Sequence, residues 1–312
     1  MATLAEQAVD AVGEIFGRHP GFRAVHAKGV LCAGTFTATE AARSLTRAVH
    51  MQGDPVAVTV RFSNASGDPD AHDGIPDGRG MAVKLYLADG TRTDIVTVTS
   101  HRFFARTPEE FVEFNHAIRR AEGGRPRPDP IRILWYLARH PKAAPAIRAL
   151  RETKPIPSYA RCRYNSLHAF RWLGPDGDSR HVRYSWLPEE GEATISSGEA
   201  LSRPPDYLKR DVEERFASGK PMRFTLELQV AEPGDPVDDP RIAWPADRNR
   251  VVAGALELTE LDTRRERDGD VLVFDPTRIT DGIELSDDPI LNFRPRAYAV
   301  SVERRSGVPA PR

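Results

Sequence analysis

The sequence predicts a single α+β domain built on an eight-stranded antiparallel β-barrel with inserted and C-terminal helices. Two groups of four strand-like runs alternate with two groups of helical segments along the 312 residues. Antiparallel strands with helices inserted after the fourth strand can close into a barrel whose interior is filled by side chains. The sequence contains neither a Ser/Gly linker nor an internal repeat, which favours one domain over residues 1–312.

Alternation of apolar and polar residues between turn signals predicts the strands. The runs of the first half lie at residues 34–37, 56–62, 81–86 and 94–98. Those of the second half lie at residues 165–173, 181–187, 224–230 and 252–258. Residues 66–79, rich in glycine, proline and aspartate, predict a long loop between the second and third strands.

Helical spacing and capping residues predict the helices. Apolar residues at this spacing predict an amphipathic N-terminal helix over residues 1–16. Thr107 followed by Pro108 is the pattern of a helix start, and the predicted helix continues through Arg120. Further helices are predicted at residues 130–139, 144–150, 205–218 and 290–305.

The overall charge is balanced. The chain has 44 basic and 45 acidic residues, a net charge of -1, and is 40% hydrophobic, as is typical of a soluble globular protein. Nucleic-acid binders and membrane-surface binders usually carry a basic excess, so neither class is expected. Arginine accounts for 38 of the basic residues. We attribute most of this preference to codon bias, because arginine replaces lysine freely on solvated faces.

The N-terminus and the cysteines indicate the compartment. The N-terminus lacks the charged and apolar regions of a signal peptide, and no apolar run in the sequence approaches the roughly 18 residues of a membrane span. Cys32 and Cys162 are far apart and outside any zinc-ligand spacing, so neither a metal site nor a disulfide framework is indicated. We therefore expect a cytoplasmic protein.

Arg294 and Tyr298 form a pair of interest near the C-terminus. Residues four apart on a helix share a face, so the guanidinium would lie beside the phenol. Phenolate is one of the few axial ligands of haem iron, and an adjacent positive charge favours the ionised form. The spacing alone also fits a solvated arginine beside a core tyrosine. Pro295 is expected in the first helical turn, since proline inside a helix removes a hydrogen bond.

His26 lies among small apolar residues. Histidine titrates near neutrality and often carries protons in bond cleavage, although this pattern also fits a buried structural histidine. The sequence contains no glycine-rich phosphate loop, nucleophile elbow or HExxH motif. His72, between Asp70 and Asp73, could bind a divalent ion, but a solvated turn is the favoured interpretation.

Several segments resemble those of the haem catalases, and they occur in the family's order over residues 22–305. Val25-His26-Ala27-Lys28-Gly29 resembles the segment around the distal histidine, and residues 60–63 resemble the strand that follows it. Residues 77–86, DGRGMAVKLY, resemble the family's DxRGFAxKFY segment. Residues 94–96, residues 103–106 and Phe111 are similar to the next block, and residues 274–276, 282–284 and 294–298 resemble the approach to the proximal tyrosine.

The resemblance implies haem b (heme b) as cofactor and a role for each matching residue. Tyr298 would be the proximal phenolate ligand of the iron, held ionised by Arg294. His26 would be the distal acid–base residue, hydrogen-bonded to Ser63. The remaining matches are the propionate-binding Arg23, Arg61 and Arg305, the distal-side Phe103 and Phe111, and the proximal-side His168.

Two features depart from full-size catalases. The distal asparagine that helps to position peroxide is replaced by Val98, with Thr99 next to it, and valine cannot donate a hydrogen bond. The N-terminal arm and the C-terminal extensions of full-size catalases are also missing. The shortened core resembles the catalase-related haem peroxidases.

The resemblance therefore implies an enzyme that reduces hydrogen peroxide or organic hydroperoxides with a small organic electron donor. Three alternatives stay open: a slow true catalase, a haem-binding or sensing protein with little turnover, and a hydroperoxide isomerase or dehydratase. The sequence does not identify the reductant, and a homodimer is expected.

Overall fold

The strands of the protein account for most of its core. The structure, a computed structural model, describes residues 1–122, 125–263 and 271–306. Within these ranges the strands are β1 (Gly29–Ala38), β2 (Val56–Asn64), β3 (Arg79–Tyr86), β4 (Arg92–Val98), β5 (Ile118–Glu122), β6 (Arg125–Pro128), β7 (Tyr164–Asn165), β8 (Phe170–Leu173), β9 (Ser179–Pro188), β10 (Met222–Val230), β11 (Arg250–Leu261) and β12 (Ile283–Leu285).

Eight of these strands form a closed antiparallel barrel, as the sequence predicts. Their order is β10, β11, β1, β2, β3, β4, β7 and β9, and β9 pairs again with β10 to complete the ring. Strands β8 and β12 extend the sheet from the first half of β9. Strands β5 and β6 form a separate two-stranded ribbon.

Apolar and aromatic side chains fill the barrel interior. Phe62 of β2 stacks on Tyr159 with ring centroids 5.3 Å apart, and it also contacts Tyr164 and Phe224 from the opposite wall. All four rings are buried. Removing a large side chain of this kind from water contributes about 2–3 kcal/mol, so the interior is a packed core rather than a ligand channel.

The helices lie between and outside the strands. They are α1 (Leu4–Phe16), α2 (Glu40–Leu45), α3 (Pro108–His116), α4 (Pro130–Arg139), α5 (Ala144–Arg151), α6 (Ser197–Ser202), α7 (Tyr207–Ala217) and α8 (Pro289–Ser306). Short 3-10 turns occur at Val49–Met51, Pro141–Ala143 and Tyr159–Arg161. None of the helices in the described part of the chain combines the length and the apolar character needed to cross a bilayer.

Three predictions about element bounds were wrong. The helix expected through Arg120 ends at His116, because the next residues form β5 and pair with β6. The strand expected at residues 165–173 is divided into β7 and β8. Pro295 lies inside α8 rather than in its first turn, so the helix continues past a residue that donates no backbone hydrogen bond.

Helices α1, α3 and α8 pack together on the outer face of the barrel. Ala8 and Ala11 of α1 contact Val112 of α3 in a small apolar cluster. Arg304 of α8 donates to Asp10 of α1 at 2.7 Å. The space enclosed between these helices and the barrel wall contains the candidate site.

Candidate active site

A single row of residues across four barrel strands forms the wall of the site. Gly29 of β1 pairs with Ser63 of β2, Ser63 with Gly80 of β3, and Gly80 with Val98 of β4. Since side chains alternate between the two faces of a strand, these positions face outward while Phe62 faces the core. Two of the four are glycine, and the space that a side chain would take is occupied by Arg61 at Gly29 and by His26 at Gly80.

His26 occupies the opening above this row. Its Nδ1 lies 3.0 Å from Ser63 Oγ, and its backbone N–H donates to the carbonyl of Ala65 at 3.2 Å. A Cβ atom on Gly80 would lie only 2.9 Å from His26 Cε1 and 2.9 Å from Ser63 Oγ. Glycine at residue 80 is thus a requirement of the imidazole position.

The backbone of His26 adopts a left-handed conformation with φ of 56°. Residues other than glycine adopt this region rarely, and it costs on the order of 1–3 kcal/mol at constrained sites. The cost is offset by the surrounding structure, which fixes the imidazole against Ser63. Strain of this kind is concentrated at functional sites.

Tyr298 on α8 begins a continuous line of polar contacts. Arg294 Nε donates to Tyr298 Oη at 2.8 Å, and Arg294 Nη1 lies 3.1 Å from His168 Nε2. His168 Nδ1 lies 2.7 Å from Asp288 Oδ2. Asp288 also accepts hydrogen bonds from the backbone N–H groups of Ile290 and Leu291 at the start of α8. The line therefore ends at a helix N-terminus, which stabilises a carboxylate.

The sequence identified Arg294 and Tyr298 from their spacing, and the structure places them on one face of α8 as expected. No role was predicted for Asp288, although aspartate before a helix-starting proline is the pattern of an N-cap. The break between β7 and β8 lets the buried His168 reach Asp288. No local pattern predicts this contact, because residues 168 and 288 are distant in sequence.

Burial and positive charge control the ionisation of His26 and Tyr298. Burial, together with Arg61, Arg294 and Arg23, lowers the pKa of His26 to about 3, so its imidazole is neutral. Part of its surface still faces the cavity. Burial raises the pKa of Tyr298 above its ordinary value, while the charge and hydrogen bond of Arg294 oppose this change. The arginine alone therefore does not ionise the phenol.

Three arginines besides Arg294 line the same cavity. Arg23 and Arg305 both donate to the carbonyl of Leu272, at 2.7 and 3.3 Å. Arg61 donates to the carbonyl of Ala27 at 3.2 Å, and a Cβ on Gly29 would lie 2.7 Å from its guanidinium. Burial lowers the pKa of Arg305. Such a concentration of positive charge suits carboxylate groups, which guanidinium binds in a bidentate way.

The cavity has a volume of about 430 Å³. Its lining includes all of the predicted site residues except Thr99: Arg23, His26, Arg61, Ser63, Val98, Phe103, Phe111, Arg294, Tyr298 and Arg305. Phe103 and Phe111 lie nearly parallel with centroids 6.1 Å apart. The Thr99 hydroxyl instead accepts a hydrogen bond from the backbone N–H of Arg79 at 3.1 Å. Its hydroxyl thus supports the turn after β4.

These residues fit a flat, largely apolar cofactor that carries carboxylates. Aromatic and aliphatic side chains could cover the faces of such a cofactor, three arginines could bind its carboxylates, and the Tyr298 oxygen could be a hard ligand for ferric iron. Because Gly80 has no side chain, the imidazole of His26 can lie beside the same cavity. The donor set is that of a haem site.

Solved catalase structures have the same fold. A fungal catalase superimposes with a TM-score of 0.81 at 24% sequence identity, covering 93% of this chain and 61% of that chain. Catalase A from Saccharomyces cerevisiae gives a TM-score of 0.81 at 23% identity, covering 92% and 62%. The barrel with its outer helices therefore defines a catalase-type fold.

Sequence comparisons extend this result from fold to family. The catalase family model matches residues 18–310. A catalase-related peroxidase from Mycolicibacterium paratuberculosis is 44% identical over 97% of this chain and 95% of the relative. A protein of the same description from Synechococcus elongatus is 31% identical over 96% of this chain and 88% of the relative. The chain belongs to the catalase family, and this membership implies a haem cofactor.

Proposed function

We propose that the protein is a haem b peroxidase that reduces hydrogen peroxide or an organic hydroperoxide with a small organic donor. The main support for the proposal is that one cavity contains both the neutral imidazole of His26 and the phenol of Tyr298, which accepts a hydrogen bond from Arg294. Two relatives that match nearly the whole chain are described as catalase-related peroxidases, which supports the same activity.

Tyr298 would hold the haem iron through its phenolate oxygen. Bound haem supplies the redox chemistry that the side chains themselves lack. Arg294 favours the phenolate by charge and by its hydrogen bond, and a bound ferric ion would supply the remaining stabilisation. His168 and Asp288 hold the guanidinium in place from behind.

His26 is the proposed proton carrier. In the tautomer that base catalysis requires, Nδ1 donates to Ser63 Oγ and the lone pair of Nε2 is available to the substrate. Nε2 then takes the proton of the peroxide O–H group and returns it to the departing oxygen atom. Its lowered pKa keeps the imidazole unprotonated at neutral pH, so the lone pair of Nε2 is free to face the substrate.

Val98 favours donor oxidation over rapid dismutation. It occupies the position in the wall next to Gly80 and adds a methyl-lined surface to the cavity. Hydrogen peroxide loses a hydrogen-bond donor there, whereas an organic hydroperoxide gains apolar contact. Arg23, Arg61 and Arg305 are the proposed partners of the haem propionates, and Phe103 and Phe111 the aromatic contacts of the distal side. Thr99, outside the lining, is proposed only to support the position of Val98.

The decisive experiment measures two products at equal peroxide concentration. Protein reconstituted with haem is expected to show a Soret band and to oxidise a phenolic donor faster than it releases oxygen. Val98→Asn should raise oxygen release. Oxygen release that dominates without a donor would instead establish a slow catalase, and haem binding with no peroxide reaction would establish a sensor. Conversion of a lipid hydroperoxide without donor would establish an isomerase or dehydratase.

The remaining parts of the proposal concern the assembly. We place the whole chain in one haem-binding domain, because the catalase family model matches residues 18–310. A cytoplasmic location and a homodimer complete the proposal. Light scattering of the holoprotein measures the oligomeric state, and cell fractionation measures the location.

A further inference from the structure

One side of α4 presents large apolar side chains to solvent. Ile131 and Leu134 are each 68% exposed, and Trp135 is 63% exposed. Their spacing of three and four residues puts them on neighbouring positions of one helical surface, which we call the α4 face. Isolated exposed apolar residues are common, but a contiguous set indicates an interaction surface.

The segment that carries the α4 face is strongly basic. Residues 125–154 contain eight arginines and lysines and two acidic residues, a net charge of +6 in a chain whose total is -1. Arg132 and Arg139 lie one turn before and one turn after Trp135. The charge of the whole chain is balanced, and from that balance we expected no binding to membrane surfaces. The balance arises because the acidic remainder of the chain offsets this basic segment.

We propose that the α4 face binds the surface of an anionic lipid membrane. An interfacial helix combines Trp and Leu on one side with Arg or Lys beside them, and lies in the plane of the bilayer. Arginine side chains place their stems along apolar surface while the guanidinium reaches the lipid phosphates. Helix α4 has this combination and is too short to span a bilayer.

Charge distinguishes a membrane from a second copy of the chain. In a two-fold dimer the same patch meets itself, which would bring two basic segments together, although Arg139 and His140 of each are paired with Glu113 of α3. An anionic bilayer instead offers opposite charge to the basic residues and an apolar layer to Ile131, Leu134 and Trp135. The apolar character of these three side chains is not matched by a nucleic-acid backbone.

The opposite side of α4 connects this surface to the cavity. Tyr136 donates to the carbonyl of Phe104 at 2.8 Å, and Phe104 lines the cavity. The rings of Phe104 and Phe114 are 4.0 Å apart, and Phe114 contacts Tyr136. A single aromatic layer thus separates the proposed membrane surface from the site.

The test is cosedimentation of the holoprotein with vesicles of phosphatidylcholine containing 40% phosphatidylglycerol. Binding is expected to these vesicles and not to pure phosphatidylcholine, and to weaken about tenfold or more at 0.5 M salt because screening is then strong. Trp135 emission should shift to shorter wavelength, since the other tryptophans, at 172, 186 and 244, are buried. No binding to anionic vesicles would overturn the proposal.

Two variants and two matched controls locate the surface. The triple change Ile131→Ser, Leu134→Ser and Trp135→Ser should weaken vesicle binding about tenfold or more, and Lys142→Glu with Arg151→Glu should do the same through charge. Leu201→Ser and Lys209→Glu, exposed elsewhere, should leave it unchanged. Equal haem absorbance and melting temperature establish that each variant is folded. Two results would overturn the proposal. One is vesicle binding at the wild-type level by both face variants. The other is a wild-type protein that forms a dimer and binds no vesicles, when the triple change dissociates that dimer.

Discussion

On the barrel side of the cavity, His26 contacts Ser63 and the space left by Gly80, whereas on the α8 side Tyr298 begins a line of hydrogen-bonded polar groups. The barrel side keeps its imidazole neutral by burial and neighbouring positive charge. On the α8 side, hydrogen bonds through His168 to Asp288 hold the positive charge of Arg294 in place. A group that takes up a proton needs a free lone pair, whereas a metal ligand needs a fixed position.

Tyr298→Phe tests the α8 side most severely. Removing the phenol oxygen deletes the proposed iron ligand, so the loss of activity should exceed the roughly 100-fold that follows loss of a supporting residue. The Soret band of the reconstituted protein should also change, and an absorption spectrum measures this. Tyr207→Phe, which removes another buried phenol, should leave the spectrum intact. An unchanged band and rate for Tyr298→Phe would remove Tyr298 from the site.

His26→Ala tests the barrel side. The rate of the peroxide reaction should fall about 10²–10⁴-fold, as expected for loss of a general acid–base group, while haem binding should persist because the proposed iron ligand, Tyr298, is on α8. Stopped-flow absorbance measures the rate. His72→Ala, whose ring bonds the carbonyl of Arg203 outside the cavity, is the control. Equal rates in both variants would contradict the proposed role of His26.

Asp288→Asn tests whether the line behind Tyr298 acts through charge. Asparagine keeps the helix cap but removes the negative charge beside His168, so activity or haem affinity should fall about 10–100-fold. Haem titration and steady-state rates measure the two effects. Asp129→Asn, at the start of α4, changes a similar cap elsewhere. If both variants behave alike, Asp288 serves only as a cap.

Gly80→Ala tests the opening in the barrel wall. The added methyl would meet His26 Cε1 and Ser63 Oγ at 2.9 Å, so we expect a stability loss of about 1–3 kcal/mol and a slower peroxide reaction. Denaturant unfolding measures the stability. Gly78→Ala, where the closest atom is at 3.4 Å, should be milder. Equal effects would mean that the wall yields easily at residue 80.

Acid should destabilise the fold through its buried histidines. Burial lowers the pKa of His26 to about 3 and that of His50 to about 4, from an ordinary 6.5. Between these values the unfolded chain binds protons that the folded chain does not, so the free energy of unfolding falls as pH drops from 6.5 towards 4. The slope for each histidine is at most about 1.4 kcal/mol per pH unit. Unfolding at pH 7, 5.5 and 4.5 measures it. His50→Leu should reduce the slope, and a constant free energy would contradict both shifts.

Local patterns predicted the barrel because its strands are bounded by clear turns and alternate in polarity. They predicted α4 with its observed bounds, since Asp129 and Pro130 mark its start. The end of α3 was missed because Arg119 and Arg120 are good helix formers and only pairing with β6 makes that segment extended. The Gly-Gly pair at residues 123 and 124 was the available turn signal.

The site was predictable where its parts are local and not where they are remote. The spacing of Arg294 and Tyr298 indicated one helical face, and the resemblance to catalases identified His26 and Ser63. The reach of His168 to Asp288 depends on how β7 and β8 divide, which single-sequence periodicity does not encode. The charge of residues 125–154 was visible in the sequence but hidden in the total.

The barrel closes only when β9 pairs with β10, and His26 precedes β1 while Tyr298 follows every strand of the ring. Contacts between residues so distant in sequence require much of the chain to be ordered first, because the entropy of closing each loop must be offset before the contact forms. We therefore expect the cofactor pocket to form late in folding. A mutation that slows barrel closure would delay haem uptake even if it lies far from every residue that touches the haem.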